Sequence, residues 1–222
     1  RKVLICGTES SSNSTAELTW ALILGLVRNL REESENMYQG YWQTTLGFEL
    51  KGKTLGVIGF GRIGQATAKM ALGLGMKVIA FDPFLEKTTL SLSFYDGQTV
   101  DFEIKTVSKE AVLKESDFIT LHVPAQKEFV IGEAELALMK DGSGLINAAR
   151  GGVVNEVALV AALESNKLAF AGLDTFENEP TPAVQLLMNP KISLTPHIGA
   201  ATNQAQDRIG SELASQIISI LK

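Results

Sequence analysis

The chain has 222 residues, 45% hydrophobic and 20% charged, a balance that supports one sizeable buried core. Its net charge is −5, and no Lys/Arg cluster supplies the basic face that a nucleic acid requires. The single cysteine, Cys6, excludes an internal disulfide and fits a reducing compartment such as the cytoplasm. The most apolar run, Leu18 to Val27, is too short to cross a bilayer, so no membrane partner is expected.

Val3–Cys6 reads as a strand, with Cys6 a small buried hydrophobe. The opening Arg1-Lys2-Val3 lacks the layout of a signal peptide and suggests a segment of a longer protein. Ser14-Thr15-Ala16-Glu17 has the pattern of a capping box, and a helix is expected from there to about Leu30. Its apolar residues cover more than one face, which implies burial on several sides. Residues 31–52 read as a short helix and a loop. From Thr54 onward strands alternate with helices. Strands are expected at Thr54–Ile58, Lys77–Phe81, Phe118–Val123, Gly144–Ala148, Ala169–Leu173 and Ile192–Leu194. Helices are expected at Arg62–Leu74, Val157–Leu163 and Asn203–Leu221. This alternation predicts an α/β fold, a doubly wound parallel sheet of the Rossmann type in three α-β-α layers. Residues 88–107 break the rhythm: alternating side chains flank Asp96-Gly97, the signal of an inserted surface hairpin.

The run GFGRIG at 59–64 follows a strand and opens a helix. In that context Gly59 permits a tight turn, Gly61 leaves room for a pyrophosphate, and Gly64 lets the helix approach the sheet. Arg62 and Ile63 belong to the same loop, whose helix N-terminus favours phosphate charge. Asp82 closes the next strand, 18 residues past Gly64 (82 − 64). A carboxylate there accepts from ribose hydroxyls and repels a 2′-phosphate, which favours NAD over NADP.

Two histidines are present, His122 and His197, each at a strand end. Arg150, Asp174, Glu179 and His197 all fall just past strands, as do the glycine loop and Asp82. Ligands of open α/β sheets bind at the carboxyl ends of strands, so these residues are expected to share one site.

GFGRIG, FITLHVPA, INAARGGVVNE, GLDTFENEP and LTPHIGAAT resemble, in order, the motifs of the D-isomer-specific 2-hydroxyacid dehydrogenases. The resemblance covers nearly the whole chain, and from about Leu46 it is greatest to members acting on 3-phosphoglycerate. It implies His197 as general acid–base, Glu179 as its partner and Arg150 as the anchor of the substrate carboxylate. It implies that Asp174 meets the nicotinamide side of NAD, that His122, Val123 and Pro124 line the adenosine side, and that Ala148, Ala149 and Gly199 belong to the cofactor site. Glu177 is the other acid of its loop, but the family pattern places the catalytic one directly before Pro180. Asn155 and Thr175 stand where Asp and Val are usual; Asn155 can still cap a helix. The resemblance further implies that residues 1–222 are the NAD-binding domain alone, without the substrate-binding domain, and that cofactor domains pair in a homodimer. The alternatives are enzymes acting on glyoxylate, hydroxypyruvate or D-lactate, and a non-catalytic NAD-sensing module resembling the corepressors of this fold.

Overall fold

The computed structural model describes Thr8 and residues 11–221; the expected strand Val3–Cys6 lies outside the described residues. Helix α1 (Ser12–Val27) lies across one face of the sheet that follows. The expected capping box does not form. The helix begins at Ser12, so Ser14 is an interior residue, and its hydroxyl meets that of Thr202 at 3.0 Å. The helix also stops before Leu30, because Asn29 takes a left-handed conformation (φ 51°), and α2 (Leu30–Tyr38) starts anew. Much of the apolar surface of α1 is used inside this chain: Trp20, Leu22 and Ile23 are buried with residues of the sheet, and the Trp20 indole donates to the Thr67 carbonyl at 3.1 Å, while Leu24 stays exposed.

Strand β1 (Thr54–Ile58), helix α3 (Arg62–Gly73) and strand β2 (Lys77–Phe81) form a β-α-β unit with parallel pairing from Thr54↔Lys77 to Ile58↔Phe81. The hairpin follows: β3 (Lys87–Ser93) pairs antiparallel with β4 (Thr99–Lys105) around Gly97 at φ +84°. Leu90 is its buried anchor, in one core cluster with Ala68 and Ala71 of α3. The chain then returns beside β2, where Val107 N–H donates to the Ala80 carbonyl (2.8 Å).

The remaining elements are α4 (Lys109–Glu115), β5 (Phe118–Leu121), α5 (Glu133–Leu138), β6 (Ser143–Asn147), α6 (Glu156–Glu164), β7 (Leu168–Leu173), α7 (Val184–Leu187), β8 (Ile192–Leu194) and α8 (Asn203–Leu221). Asn155 caps α6, accepting from Ala158 N–H at 3.0 Å. The six-stranded sheet is wholly parallel, in the order β2-β1-β5-β6-β7-β8. Alternate side chains point to opposite faces of a strand. Leu55, Val57 and Phe118 meet α1 and α3 on one face. Ile58, Ile119 and Leu121 meet α4, α5 and α6 on the other. These are the two halves of a doubly wound, three-layer Rossmann-type domain. Among the described residues no helix is long and apolar enough to cross a membrane.

Candidate active site

β2 lies on one side of β1 and β5 on the other, so the chain reverses its winding direction after β2. Such a switch point opens a crevice at the carboxyl ends of the strands. Gly59 sits there at φ +89°, and a Cβ on it would stand 2.5 Å from the His122 carbonyl oxygen; only glycine lets the two loops pass. A Cβ on Gly64 would strike the Gly59 carbonyl at 2.2 Å, whereas Gly61 faces open space. Gly61 is the N-cap of α3, which begins at Arg62 and has no side-chain cap. The N-terminus of such a helix favours an anion. The loop has the shape and the donors that a pyrophosphate requires.

Asp82 closes β2 in a half-buried position. Its Oδ2 accepts from Phe60 N–H (2.8 Å) and its Oδ1 from Phe84 N–H (2.9 Å). The carboxylate thus ties the glycine loop to the end of β2, a contact that spacing did not announce. Each oxygen keeps a second lone pair for a hydroxyl.

A cleft of about 480 Å³ runs along the strand ends. It brings together Ile63 from α3, His122, Val123 and Pro124 after β5, and Ala148, Ala149 and Arg150 after β6. Asp174 after β7 and His197 and Gly199 after β8 complete the predicted part of its wall. Gly59, Gly61, Arg62, Gly64 and Asp82 lie outside that wall, on the loop and strand end beside it. Sequence reading missed Ser11, just before α1, and Thr15 within it, and Ala200, Ala201 and Gln206 after His197. Small and polar residues at a helix start look like caps, and nothing in their spacing points into a cleft.

His197 is presented by a strained turn at φ 54°, in the left-handed region that non-glycine residues seldom occupy. Asp174, almost fully buried, holds that turn. Its Oδ1 accepts from Thr195 Oγ1 (2.7 Å) and Ile198 N–H (2.8 Å), and its Oδ2 from Gly199 N–H (3.0 Å). The His197 Nδ1 lies 2.8 Å from Glu179 Oε2. A carboxylate only accepts, so Nδ1 carries the proton and Nε2 is the free nitrogen. The other Glu179 oxygen accepts from Phe176 N–H at 3.0 Å. The bond from His197 holds the Glu179 carboxyl below its ordinary value; the Phe176 N–H and the charges of His197 and Arg150 act in the same sense, against a partial desolvation. Arg150 donates through Nη1 to the Ala149 carbonyl (2.6 Å), and its turn is stapled by Asn147, which donates to the Arg150 carbonyl (3.0 Å). Glu179 and His197 also border a second, mostly apolar cavity of about 420 Å³, walled by Phe176, Pro180, Pro182, Leu187 and Leu194.

The other histidine differs in kind. The Nε2 of His122 lies 3.1 Å from Thr120 Oγ1, while Nδ1 is sealed from solvent with no partner. Burial pushes its pKa down to about 3, so the ring is neutral at ordinary pH.

The model of the D-isomer specific 2-hydroxyacid dehydrogenase, NAD binding domain, matches residues 20–199. The chain belongs to that family, and it is an NAD-binding domain of the α/β class. A glyoxylate reductase from Thermococcus litoralis is 42% identical over 226 residues, covering 95% of this chain and 64% of that protein. A D-3-phosphoglycerate dehydrogenase from Methanocaldococcus jannaschii is 39% identical over 224 residues, covering 99% of this chain and 41% of that protein. Among solved structures, a D-lactate dehydrogenase from Aquifex aeolicus complexed with NAD and lactic acid superposes with a TM-score of 0.80 at 33% identity, over 96% of this chain and 67% of that one. The chain spans less than two thirds of the length of the glyoxylate reductase and of the phosphoglycerate dehydrogenase.

Proposed function

We propose that this chain is the cofactor half of an oxidoreductase that uses NAD to interconvert a small D-2-hydroxy acid and its 2-oxo acid. The observation that carries this reading is the His197–Glu179 pair, joined at 2.8 Å, with His197 on the cleft that Arg150 also lines. In the oxidation direction His197 takes the hydroxyl proton at Nε2, and Glu179 stabilises the imidazolium that results. Arg150 has one N–H engaged by a carbonyl and presents its remaining donors to the substrate carboxylate. The Gly59–Gly64 loop and the α3 N-terminus hold the pyrophosphate of NAD, and Asp82 takes its ribose. His122, Val123 and Pro124 line the adenosine side, and Asp174, Ala148, Ala149 and Gly199 the nicotinamide side. Bound there, NAD supplies a hydride acceptor.

The substrate proposed is 3-phosphoglycerate, on the resemblance carried by AGLDTFENEPTPAVQLL (171–187) and PHIGAATNQAQDRIG (196–210). Glyoxylate or hydroxypyruvate is the second reading, favoured by the 42% identity to the Thermococcus reductase. The rest of the substrate cleft comes from sequence outside this chain. The chain alone is therefore expected to bind NADH and turn over poorly, because catalysis needs a positioned substrate and excluded water. A reducing compartment and a homodimer built on the cofactor domain belong to the same proposal.

The test is an assay of the full-length protein with NAD on a panel of D-2-hydroxy acids, 3-phosphoglycerate and glycerate among them. The expected result is the highest kcat/KM on 3-phosphoglycerate, with His197→Ala lowering kcat by roughly 10²–10⁴-fold. Preference for glycerate or glycolate selects the second reading. NADH binding with no turnover of any acid overturns both and leaves a non-catalytic NAD-sensing module.

A further inference from the structure

Two carboxylates near the site play no part in the chemistry above, yet they are joined in an unusual way. Glu156 is the first residue of α6 and is almost fully buried. Glu177 lies in the loop after β7, two residues before Glu179. The backbone N–H of Glu156 donates to Glu177 Oε1 at 3.0 Å, and the backbone N–H of Glu177 donates to Glu156 Oε1 at 2.7 Å. The pair forms a reciprocal clasp between positions 21 apart, one strand of the clasp on a helix and the other on the loop that carries Glu179. Hydrogen bonds to charged acceptors are roughly twice as strong as neutral ones, so such a clasp orders backbone well.

The clasp acts where the loop has least freedom left. Phe176, between Thr175 and Glu177, is buried, and its N–H donates to Glu179 Oε1. Its carbonyl lies so close to Gly151 that a Cβ there would stand 1.8 Å away. Residues 175–179 are thus pinned at Phe176 against the Arg150 turn, at Glu177 against α6, and at Glu179 against His197. Of these three anchors only the middle one comes from a side chain outside both the Arg150 turn and the His197 turn.

We propose that Glu156 is a positioning residue for the Glu179–His197 pair: its carboxylate, latched to the Glu177 backbone, fixes the loop that presents Glu179. The functional meaning rests on the reading of that pair as the acid–base couple; the geometric content does not. The cost of the arrangement is visible in Glu156 itself, whose carboxyl is raised above its ordinary value by burial and by the Glu177 charge, against the pull of the Glu177 N–H. Glutamine at 156 keeps an acceptor for that N–H without the charge, whereas alanine removes it.

The experiment follows the Glu179 carboxyl by ¹³C NMR through a pH titration of this chain, as wild type, Glu156→Ala and Glu156→Gln. In the wild type Glu179 is expected to titrate below the ordinary glutamate range. Glu156→Ala is expected to move it up by about half a pH unit or more, since its bonds to His197 and Phe176 loosen. Glu156→Gln is expected to stay with the wild type, and NADH affinity to change less than about twofold in both. A Glu156→Ala chain that unfolds earlier while Glu179 titrates as in the wild type overturns the proposal, because Glu156 then serves the helix start alone. Should Glu156→Ala fail to fold, Glu156→Met, which keeps the length of the side chain but offers no oxygen to the Glu177 N–H, is read by the same criteria. The acid–base reading fails separately, if His197→Ala in the full-length protein keeps its turnover while the titration behaves as expected.

Discussion

Thr175 carries a hydroxyl that is buried without a hydrogen-bond partner, at a position where the family resemblance leads one to expect valine. An unsatisfied buried donor costs about 1–3 kcal/mol of desolvation with nothing in return. Thr175→Val exchanges the hydroxyl for a methyl group in the same branched outline. It is expected to raise stability by about 1 kcal/mol, read as a higher urea midpoint with an unchanged slope. His122 makes the opposite case, a half-buried ring whose Nδ1 is sealed and whose neutrality matters. Its folded pKa, about 3, lies below the unfolded value of a histidine, so the unfolded chain binds the proton first. The stability it contributes is therefore fully present above pH 6.5 and is lost as pH falls from there toward 3. Thermal or urea unfolding across that window is expected to weaken by roughly 1.4 kcal/mol per pH unit from this group alone, and His122→Gln to flatten the curve. The distinction between the two histidines was legible in the sequence, because only His197 keeps company with an Arg and an acid in neighbouring motifs. The work of Asp174 was not. A carboxylate that grips backbone 24 and 25 residues downstream leaves no trace in local spacing.

At the scale of elements, what could be read followed the strength of the period. All six sheet strands were expected within about a residue or two of where they lie, because parallel strands buried on both faces are short apolar runs. The helices α4, α5 and α7, of 7, 6 and 4 residues, were not, since one or two turns are too short to display a 3.6-residue period. The start of α1 was misplaced for a related reason: Ser11, Ser12, Ser14 and Thr15 are all plausible caps, and tertiary contact with Thr202 decided which one lies inside. The hairpin was legible from its alternation and its Asp-Gly turn, where Asp96 Oδ1 accepts from Gln98 N–H at 3.0 Å. Alternation does not say which face is buried. Leu90 answers that, being sealed against the α3 side of the core. Leu90→Ala is expected to cost about 2–4 kcal/mol in urea unfolding, as for other large-to-small core changes. Tyr95→Ala at the fully exposed tip is expected to stay within about 0.5 kcal/mol.

At the scale of the molecule, the reversal of winding between β1 and β5 gathers the glycine loop, Arg150, Asp174 and His197 at one end of the sheet although they span some 140 positions of sequence. The opposite problem is posed by residues 37–46, whose large apolar side chains the fold leaves exposed. Tyr38, Trp42 and Leu46 are 90%, 86% and 99% exposed, and Met37 and Tyr41 accompany them. Single exposed apolar residues are ordinary, but several large ones within a dozen positions mark a surface built for contact. Aromatic side chains supply much contact area at low entropic cost, which suits a self-complementary interface between two copies. α1 offers less for this role, because Trp20, Leu22, Ile23 and Val27 are buried with α3 and the sheet and Leu24 is its one large exposed apolar side chain. The expected outcome is a dimer of the chain in sedimentation equilibrium, shifted to monomer by Trp42→Glu with Leu46→Glu. Since neither side chain enters the core, the double variant is expected to keep the wild-type unfolding slope and to bind NADH as before. A monomeric wild-type chain would remove residues 37–46 as the seat of dimerisation.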